Sequence, residues 1–193
     1  GSDKPDTRFG LELVDLTDIF KKSEFSVFQN ALAAGGSIRA VNAKGASADF
    51  SRKELDAMGE FVKTYRAKGL IWMNDKADGL ASPVLKFLSE EEIAAVRKAA
   101  NFEQGDVLFV VADMNKTVAA SLGALRLKLA EKLNLIPENQ YNLLWVTEFP
   151  LLEWDEEEQR YSAMHHPFTS PMDEDLEKLD TDPGNVRAKA YDI

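Results

Sequence analysis

Cysteine is absent from this chain of 193 residues, and histidine occurs only as the adjacent pair His165 and His166. Without cysteine the chain can form no disulfide, no thiolate nucleophile and no cysteine-ligated zinc site. A pair of adjacent histidines also lacks the spaced third ligand that a zinc site needs. No apolar run approaches the roughly 20 residues of a membrane helix, and no signal-peptide pattern is present. We therefore expect a cytoplasmic protein without a metal site or a membrane partner.

The motifs of several common enzyme classes are missing as well. The sequence has no Gly-rich phosphate-binding loop of either common spacing and no Gly-x-Ser-x-Gly element. The acidic run over residues 155–158 could bind a divalent cation, but such a run in a turn is more typical of a solvated tip. No nucleophile–base pair, metal set or phosphate cradle assembles from the residues alone. This indicates a module or a fragment rather than a complete enzyme.

Basic residues are outnumbered by acidic ones, 23 to 33, so the formal net charge is −10. Phosphate contacts depend on Lys and Arg, so this total disfavours nucleic-acid binding. The distribution is uneven: residues 1–20 have a net charge of −3, residues 21–137 of +3 and residues 138–193 of −10. Six basic residues of the middle region could face a phosphate backbone, or could equally form the solvent face of amphipathic helices. They are Lys63, Arg66, Lys68, Arg126, Lys128 and Lys132.

The middle region alternates between strand and helix patterns. Residue alternation and short apolar runs predict strands over 37–42, 70–73, 83–88 and 106–113, of which the last is the most apolar and therefore central. Two stretches with capping-box spacing, Ser51–Glu54 and Ser89–Glu92, predict the starts of two helices. Lys68–Gly69 is the expected end of the first of these helices. An apolar stripe from Val118 to Leu133 predicts a third helix.

Residues 21–137 are thus predicted to form a compact α+β unit, with an antiparallel or mixed sheet packed against about three helices. Residues 1–20 and 138–193 contain too little apolar material for cores of their own. Strands are predicted over 143–147 and 161–164 in the second of these flanks. We expect both flanks to belong to a different domain that the middle unit interrupts.

His165 and His166 are the candidate site residues. Neighbours in a strand point to opposite faces, so one imidazole could face a site while the other supports it. Pro167 fixes the backbone directly after the pair, which helps to hold a side chain in position. The alternative is that both histidines are ordinary polar residues of a strand.

Four stretches resemble signatures of the bacterial-type aspartyl-tRNA synthetases, which are class II enzymes. In chain order they are GSDKPDTRFG at residues 1–10, GALRL at 123–127, LWVTEFP at 144–150 and MHHPFTSP at 164–171. The resemblance extends over essentially the full length. It implies that residues 21–137 are an insertion domain shared with a subunit of a tRNA-dependent amidotransferase. Residues 1–20 and 138–193 would then be segments of the interrupted catalytic domain.

The resemblance implies an internal part of an aspartate–tRNA ligase. The complete family enzyme is a homodimer that uses ATP and Mg²⁺ to convert L-aspartate to aspartyl-adenylate, and then transfers the aspartyl group to tRNA. Carried over by position, His165 would contact the bound aspartate through a hydrogen bond to a carboxylate, with His166 as support. The family's other aspartate-selecting, ATP-binding and metal-binding residues match nothing here. We therefore expect no catalytic residue, no tightly bound cofactor and no activity in this chain alone.

Two other functions are compatible with parts of the sequence. The chain could be a free-standing tRNA-binding module, or a paralogue that kept the fold without the chemistry. A free module has no need of the stretches at residues 1–10 and 164–171, which favours the ligase. The charge of +3 on the middle region predicts that its tRNA binding in isolation is weak and salt-sensitive.

Overall fold

A computed structural model describes residues 5–155 and 157–192. The first four residues of the GSDKPDTRFG stretch, Glu156 of the acidic run and Ile193 lie outside the described residues. The chain divides into two compact units. The first contains residues 6–140, and the second contains residues 141–192 together with Pro5.

The first unit is built on a five-stranded sheet in which every neighbouring pair is antiparallel. The strand order is β1-β2-β5-β3-β4, so the apolar run that was predicted to be central is the middle strand. This confirms the predicted α+β class. The strands are β1 (Val14–Asp15), β2 (Ser37–Ala43), β3 (Ile71–Lys76), β4 (Gly79–Ala81) and β5 (Val107–Asp113).

Four helices pack on this sheet, whereas the sequence predicted about three. Both capping boxes are formed: the Ser51 hydroxyl accepts a hydrogen bond from the Glu54 amide, and the Ser89 hydroxyl accepts one from the Glu92 amide. The helix that was missed, α1, has only eight residues and no side-chain cap, so it lacks both signals used to find the others. The helices are α1 (Ser26–Ala33), α2 (Arg52–Lys63), α3 (Glu90–Ala100) and α4 (Asn115–Lys132).

Two local predictions were wrong. Helix α2 ends at Lys63 instead of near Gly69, because Arg66 takes up the left-handed conformation that glycine usually provides after a helix (φ +70°). Residues 83–88 contain a 3₁₀ turn, Leu85–Phe87, instead of a strand. Pro83 has no N–H to donate to a ladder, which disfavours a strand at this point.

The sheet carries a hydrophobic core on each face. Val107, Phe109 and Val111 of β5 pack with α2 and α4, and the intervening Leu108 and Val110 pack with α1 and α3. Burial on both faces explains why β5 reads as a continuous apolar run. Leu16 and Phe20 are fully buried in the second core, so residues 6–20 are part of the first compact unit. The division of the chain at residues 20 and 137 stays a prediction.

The second unit has little regular structure. Strands β6 (Leu152–Asp155) and β7 (Arg160–Ala163) form an antiparallel hairpin, followed by the short helix α5 (Lys178–Thr181). The strand predicted over 143–147 is wrong, since only Val146 pairs, in an isolated bridge to Asp192. The side chains at Tyr141, Leu143 and Trp145 are largely exposed. Within the described part of the chain, no helix has the length and apolarity needed to cross a membrane.

Candidate functional site

The second unit positions the two histidines directly after β7. Residues 164–165 form a bend, so the pair is not in a strand and the predicted alternation of strand faces is wrong. The bend follows because Ala163, opposite Leu152, is the last paired residue of the hairpin. The Met164 amide still donates to the Leu151 carbonyl, with an N–O distance of 3.1 Å, which holds the start of the histidine segment against the hairpin.

His165 is half-buried, and its ring packs edge-on against Phe149 with 5.5 Å between ring centroids and an interplanar angle of 82°. Its Nε2 atom is buried and has no hydrogen-bond partner among the described residues. A buried polar atom without a partner costs free energy unless another group supplies the hydrogen bond. His165 therefore offers one unused hydrogen-bonding atom next to an aromatic ring.

His166 is exposed and its interactions are local. Its Nδ1 accepts a hydrogen bond from the Phe168 amide at 3.3 Å, and the two rings meet edge-on at 4.7 Å. The His166 carbonyl accepts a hydrogen bond from the Thr169 amide at 2.8 Å. Because Nδ1 is the acceptor, the proton of the neutral ring lies on Nε2. These contacts close the turn that follows the pair.

Three extended segments lie side by side next to the histidines. The segment of residues 186–189 is central: the Leu151 amide donates to the Val186 carbonyl, and the Ala188 amide donates to the Phe149 carbonyl. On its other side, the Met172 amide donates to the Arg187 carbonyl at 2.8 Å. Residues 149–151 and 170–172 are therefore both fastened to the same central segment. This arrangement fixes the backbone on both sides of the histidine turn.

An ion-pair chain links these segments through side chains. Arg187 donates from Nε to Asp175 at 2.7 Å and from Nη1 to Glu148 at 2.9 Å, while Lys178 contacts Asp175 at 2.6 Å. The Asp175 side chain is only 1% exposed. Hydrogen bonds from Arg187 and Lys178 hold the pKa of this carboxyl far below its usual range, and the same pairing raises the pKa of Arg187.

A cleft of about 530 Å³ opens in the second unit beside this ion-pair chain. Its lining includes Glu148, Lys178, Asp182, Asn185 and Arg187, so it presents charges of both signs. Neither His165 nor His166 lines it. The two predicted site residues therefore lie outside the cleft, which is lined by charged side chains of the ion-pair chain such as Glu148, Lys178 and Arg187.

The sequence reading missed Glu148, Asp175 and Arg187. The segment of residues 138–193 has 14 acidic and only four basic residues, and Arg187 is one of those four. An arginine in such an acidic segment is a signal for an ion pair, because partners for it are abundant. The identity of those partners could not be read from the sequence, because Asp175 and Glu148 lie 12 and 39 residues away from it.

Several basic side chains of the first unit that were candidates for phosphate contacts interact with other residues of the same unit. Lys128 lies over the ring of Phe61, and Lys132 pairs with Glu54 at 2.8 Å. Lys63 pairs with Glu60, and Arg126 lies over the ring of Phe9. Lys128 and Arg126 therefore contact aromatic rings, and Lys63 and Lys132 form ion pairs with glutamates.

Residues 28–122, which lie within the first unit, match the family model of the GAD domain. This part of the first unit is therefore similar to the GAD domain. The GAD match runs from α1 into α4 and includes the central strand β5. It lies inside the insertion domain that was predicted over residues 21–137.

Curated relatives match the full chain, including the parts outside the GAD match. The chain is 56% identical over 193 residues to an aspartate–tRNA ligase of Clostridium botulinum (strain Loch Maree / Type A3). It is 55% identical to an aspartate–tRNA(Asp/Asn) ligase of Geobacillus sp. (strain WCH70) and 54% identical to an aspartate–tRNA ligase of Clostridium acetobutylicum. All of this chain is covered in each case, but it spans only 32% of each relative. The predicted resemblance to this group is confirmed.

Proposed function

We propose that this chain is an internal part of an aspartate–tRNA ligase, in which the GAD domain interrupts the catalytic domain. The supporting observation is the identity of about 55% to bacterial aspartate–tRNA ligases, which extends over all 193 residues. The complete protein would activate L-aspartate with ATP, form aspartyl-adenylate and transfer the aspartyl group to tRNA. It would act as a homodimer in the cytoplasm.

Within this function, His165 is the proposed contact to the bound aspartate. Its Nε2 is the buried atom without a partner, and Phe149 limits the orientations that the ring can adopt. A hydrogen bond from this atom to a substrate carboxylate would satisfy it and would be charge-assisted. His166 has the supporting role, because its contacts to Phe168 and Thr169 shape the turn that follows.

Magnesium chemistry is proposed for the complete protein, but it is not assigned to residues of this chain. Among residues 5–155 and 157–192, no three His, Asp or Glu side chains converge as metal ligands. The positive charges Arg187 and Lys178 are both engaged by Asp175, so they are poorly placed to stabilise a transferring phosphoryl group. For this reason the 193-residue chain alone is proposed to be inactive.

Aspartate-dependent exchange of pyrophosphate into ATP tests this proposal. In the complete protein we expect His165→Ala to raise the KM for L-aspartate about 10- to 100-fold, since a hydrogen bond to a charged group contributes roughly 1.5–3 kcal/mol. The KM for ATP should change little. Tyr161→Phe, which keeps the ring packed on Trp154 in the same hairpin, is the control and should behave like the parent. An unchanged KM for aspartate in His165→Ala would refute the assignment of His165.

The proposed inactivity of the 193-residue chain has its own measurement. The chain alone should show no aspartate-dependent pyrophosphate exchange under conditions in which the complete protein turns over. Detectable exchange from the isolated chain would overturn this part of the proposal.

A free-standing tRNA-binding module remains the second candidate function, and the net charge of +3 over residues 21–137 is the observation that favours it. A mobility-shift assay of the chain with tRNA distinguishes the two. Binding that is weak at low salt and lost at ~0.5 M salt agrees with an accessory role for the GAD domain. Tight binding that survives ~0.5 M salt would favour the module instead.

A further inference from the structure

The backbone of Glu148 is strained. Its φ of +59° lies in the left-handed region, which costs an L-residue roughly 1–2 kcal/mol. Such a conformation persists only where the surroundings hold it in place, and it is frequent at functional sites. Glu148 immediately precedes Phe149, the residue whose ring packs against His165. The strained residue therefore sets the direction in which the Phe149 ring leaves the backbone.

The side chain of Glu148 is anchored by Arg187, with 2.9 Å between Oε1 and Nη1. Arg187 is in turn fixed by Asp175, which accepts hydrogen bonds from both its Nε at 2.7 Å and its backbone amide at 3.0 Å. The main chain of Arg187 is also held, through the bond from the Met172 amide and the bridge to Pro150. A guanidinium fixed in this way can serve as a rigid anchor for Glu148.

We infer that Glu148 and Arg187 are positioning residues for aspartate binding, acting through Phe149 on the imidazole of His165. The chain of ion pairs from Asp175 through Arg187 to Glu148 holds the strained backbone, and that backbone orients Phe149 against His165. Arg187 suits this role because its planar guanidinium presents its donors in a fixed fork, which holds Asp175 and Glu148 in a defined geometry. The inference rests on the proposed function, in which His165 contacts the substrate.

The direct test uses the complete protein and two substitutions that conserve shape. Glu148→Gln keeps a hydrogen-bonding side chain but removes the ion pair, and Arg187→Lys keeps the charge but removes the fork. We expect each to raise the KM for L-aspartate about tenfold, because small misplacements of a binding group can cost up to about a hundredfold. The KM for ATP should stay within about twofold of the parent. Lys189→Met, which removes the exposed ion pair to Asp173 in the same segment, is the matched control and should change neither constant.

A double-mutant cycle separates positioning from general destabilisation. If Glu148 acts through His165, Glu148→Gln should have less than about a twofold effect on the KM for aspartate once His165→Ala is already present. Equal effects of Glu148→Gln in both backgrounds would overturn the inference, and so would an unchanged KM for aspartate in Glu148→Gln alone. The melting temperature of Glu148→Gln shows whether the variant folds. If Arg187→Lys proves unstable, Glu148→Gln and the cycle still decide.

The failure of this inference can be distinguished from the failure of the proposed function. If His165→Ala leaves the KM for aspartate unchanged, the proposed role of His165 is wrong, and the inference falls with it. If His165→Ala raises that KM but Glu148→Gln does not, only the positioning role is wrong.

Discussion

The guanidinium of Arg126 lies 4.6 Å from the ring centroid of Phe9. The same group donates hydrogen bonds to the backbone carbonyls of Asp6, Gly10 and Leu11 at 2.8, 2.6 and 3.1 Å. Arg126 belongs to the GALRL stretch, and Phe9 belongs to the GSDKPDTRFG stretch. Two of the four stretches that carry the family resemblance are thus in direct contact within the first unit.

This contact predicts that Arg126 protects the N-terminal segment from proteolysis. Arg126→Gln removes the charge but keeps an amide donor, so we expect a net loss of roughly 1.5 kcal/mol, which is about a factor of ten in the population of the open segment. Cleavage of a transiently opened segment follows the population of the open form. We expect trypsin to cut after Arg8 about tenfold faster in this variant, as measured by mass spectrometry. Lys128→Gln is the control, since Lys128 lies on the same helix over Phe61, and it should leave the cleavage rate at Arg8 unchanged.

Gly36 and Gly59 should respond in opposite ways to alanine. A Cβ at Gly36 would lie 2.3 Å from the Asp113 carbonyl oxygen, so Gly36→Ala should destabilise the first unit by about 3 kcal/mol. At Gly59, inside α2, a Cβ meets nothing within 4 Å. Gly59→Ala should therefore stabilise by about 0.5–1 kcal/mol through its better helix propensity. Urea unfolding measures both, and a Gly36→Ala variant as stable as the parent would contradict the close approach.

The ionisation of Glu54 should make the free energy of unfolding depend on pH in the acid range. Hydrogen bonds from Lys132 and then from Ser51 lower the pKa of Glu54 to about 2. A carboxyl with a depressed pKa stabilises the folded state fully above its unfolded pKa, and this contribution is lost as pH falls toward the folded value. Glu54→Gln should therefore be less stable than the parent at pH 7, and the difference should shrink between about pH 4.5 and 2.

Denaturant unfolding at a series of pH values measures this difference. Lys132→Met removes the largest cause of the shift while leaving the capping box in place, so it should lose part of the same pH dependence. Parallel stability curves for the parent and Glu54→Gln from pH 2 to 7 would show that this carboxyl is not responsible.

Asp106 is a buried residue that directly precedes strand β5 and accepts several hydrogen bonds. Its carboxylate accepts hydrogen bonds from the amides of Gly45 and Glu103 and from the side chains of Asn42 and Lys44. Burial raises the pKa of Asp106, but these hydrogen bonds outweigh it and leave the pKa below its usual value. Asp106→Ala would remove the acceptor of the Gly45 and Glu103 amides, so we expect a loss of about 3 kcal/mol in the free energy of unfolding. Lys44→Met removes ion pairs of a half-exposed lysine to Glu103 and Asp106 and should cost less than about 1 kcal/mol.

The sequence predicted the helices and strands of the first unit where the signal is local. The capping boxes at Ser51 and Ser89 and the apolar run of β5 depend on residues close together in the chain, and all three are present in the structure. Helix α1 carries neither a capping side chain nor a long apolar stripe, so it was missed. The end of helix α2 was predicted at Gly69, but Arg66 adopts the left-handed conformation that follows the helix. Tertiary packing can impose a conformation that propensity disfavours.

The candidate site was less predictable for the same reason. The adjacency of His165 and His166 is visible in the sequence, but the contact between Phe149 and His165 joins residues 16 positions apart. The pairing of Arg187 with Glu148 spans 39 positions. No periodicity or capping rule connects such residues. The strand expected for the histidines is wrong because the hairpin stops at Ala163.

Arg8 reaches the carbonyls of Pro137 and Gln140 at 3.5 and 3.4 Å, so both ends of the first unit lie within the span of one side chain. The first unit is thus a long segment of chain whose two ends lie close together. The chain enters and leaves the unit at points that are close together, so a short linker is long enough to join its two ends. We therefore expect the 135-residue unit from Asp6 to Gln140 to tolerate replacement by a short glycine bridge.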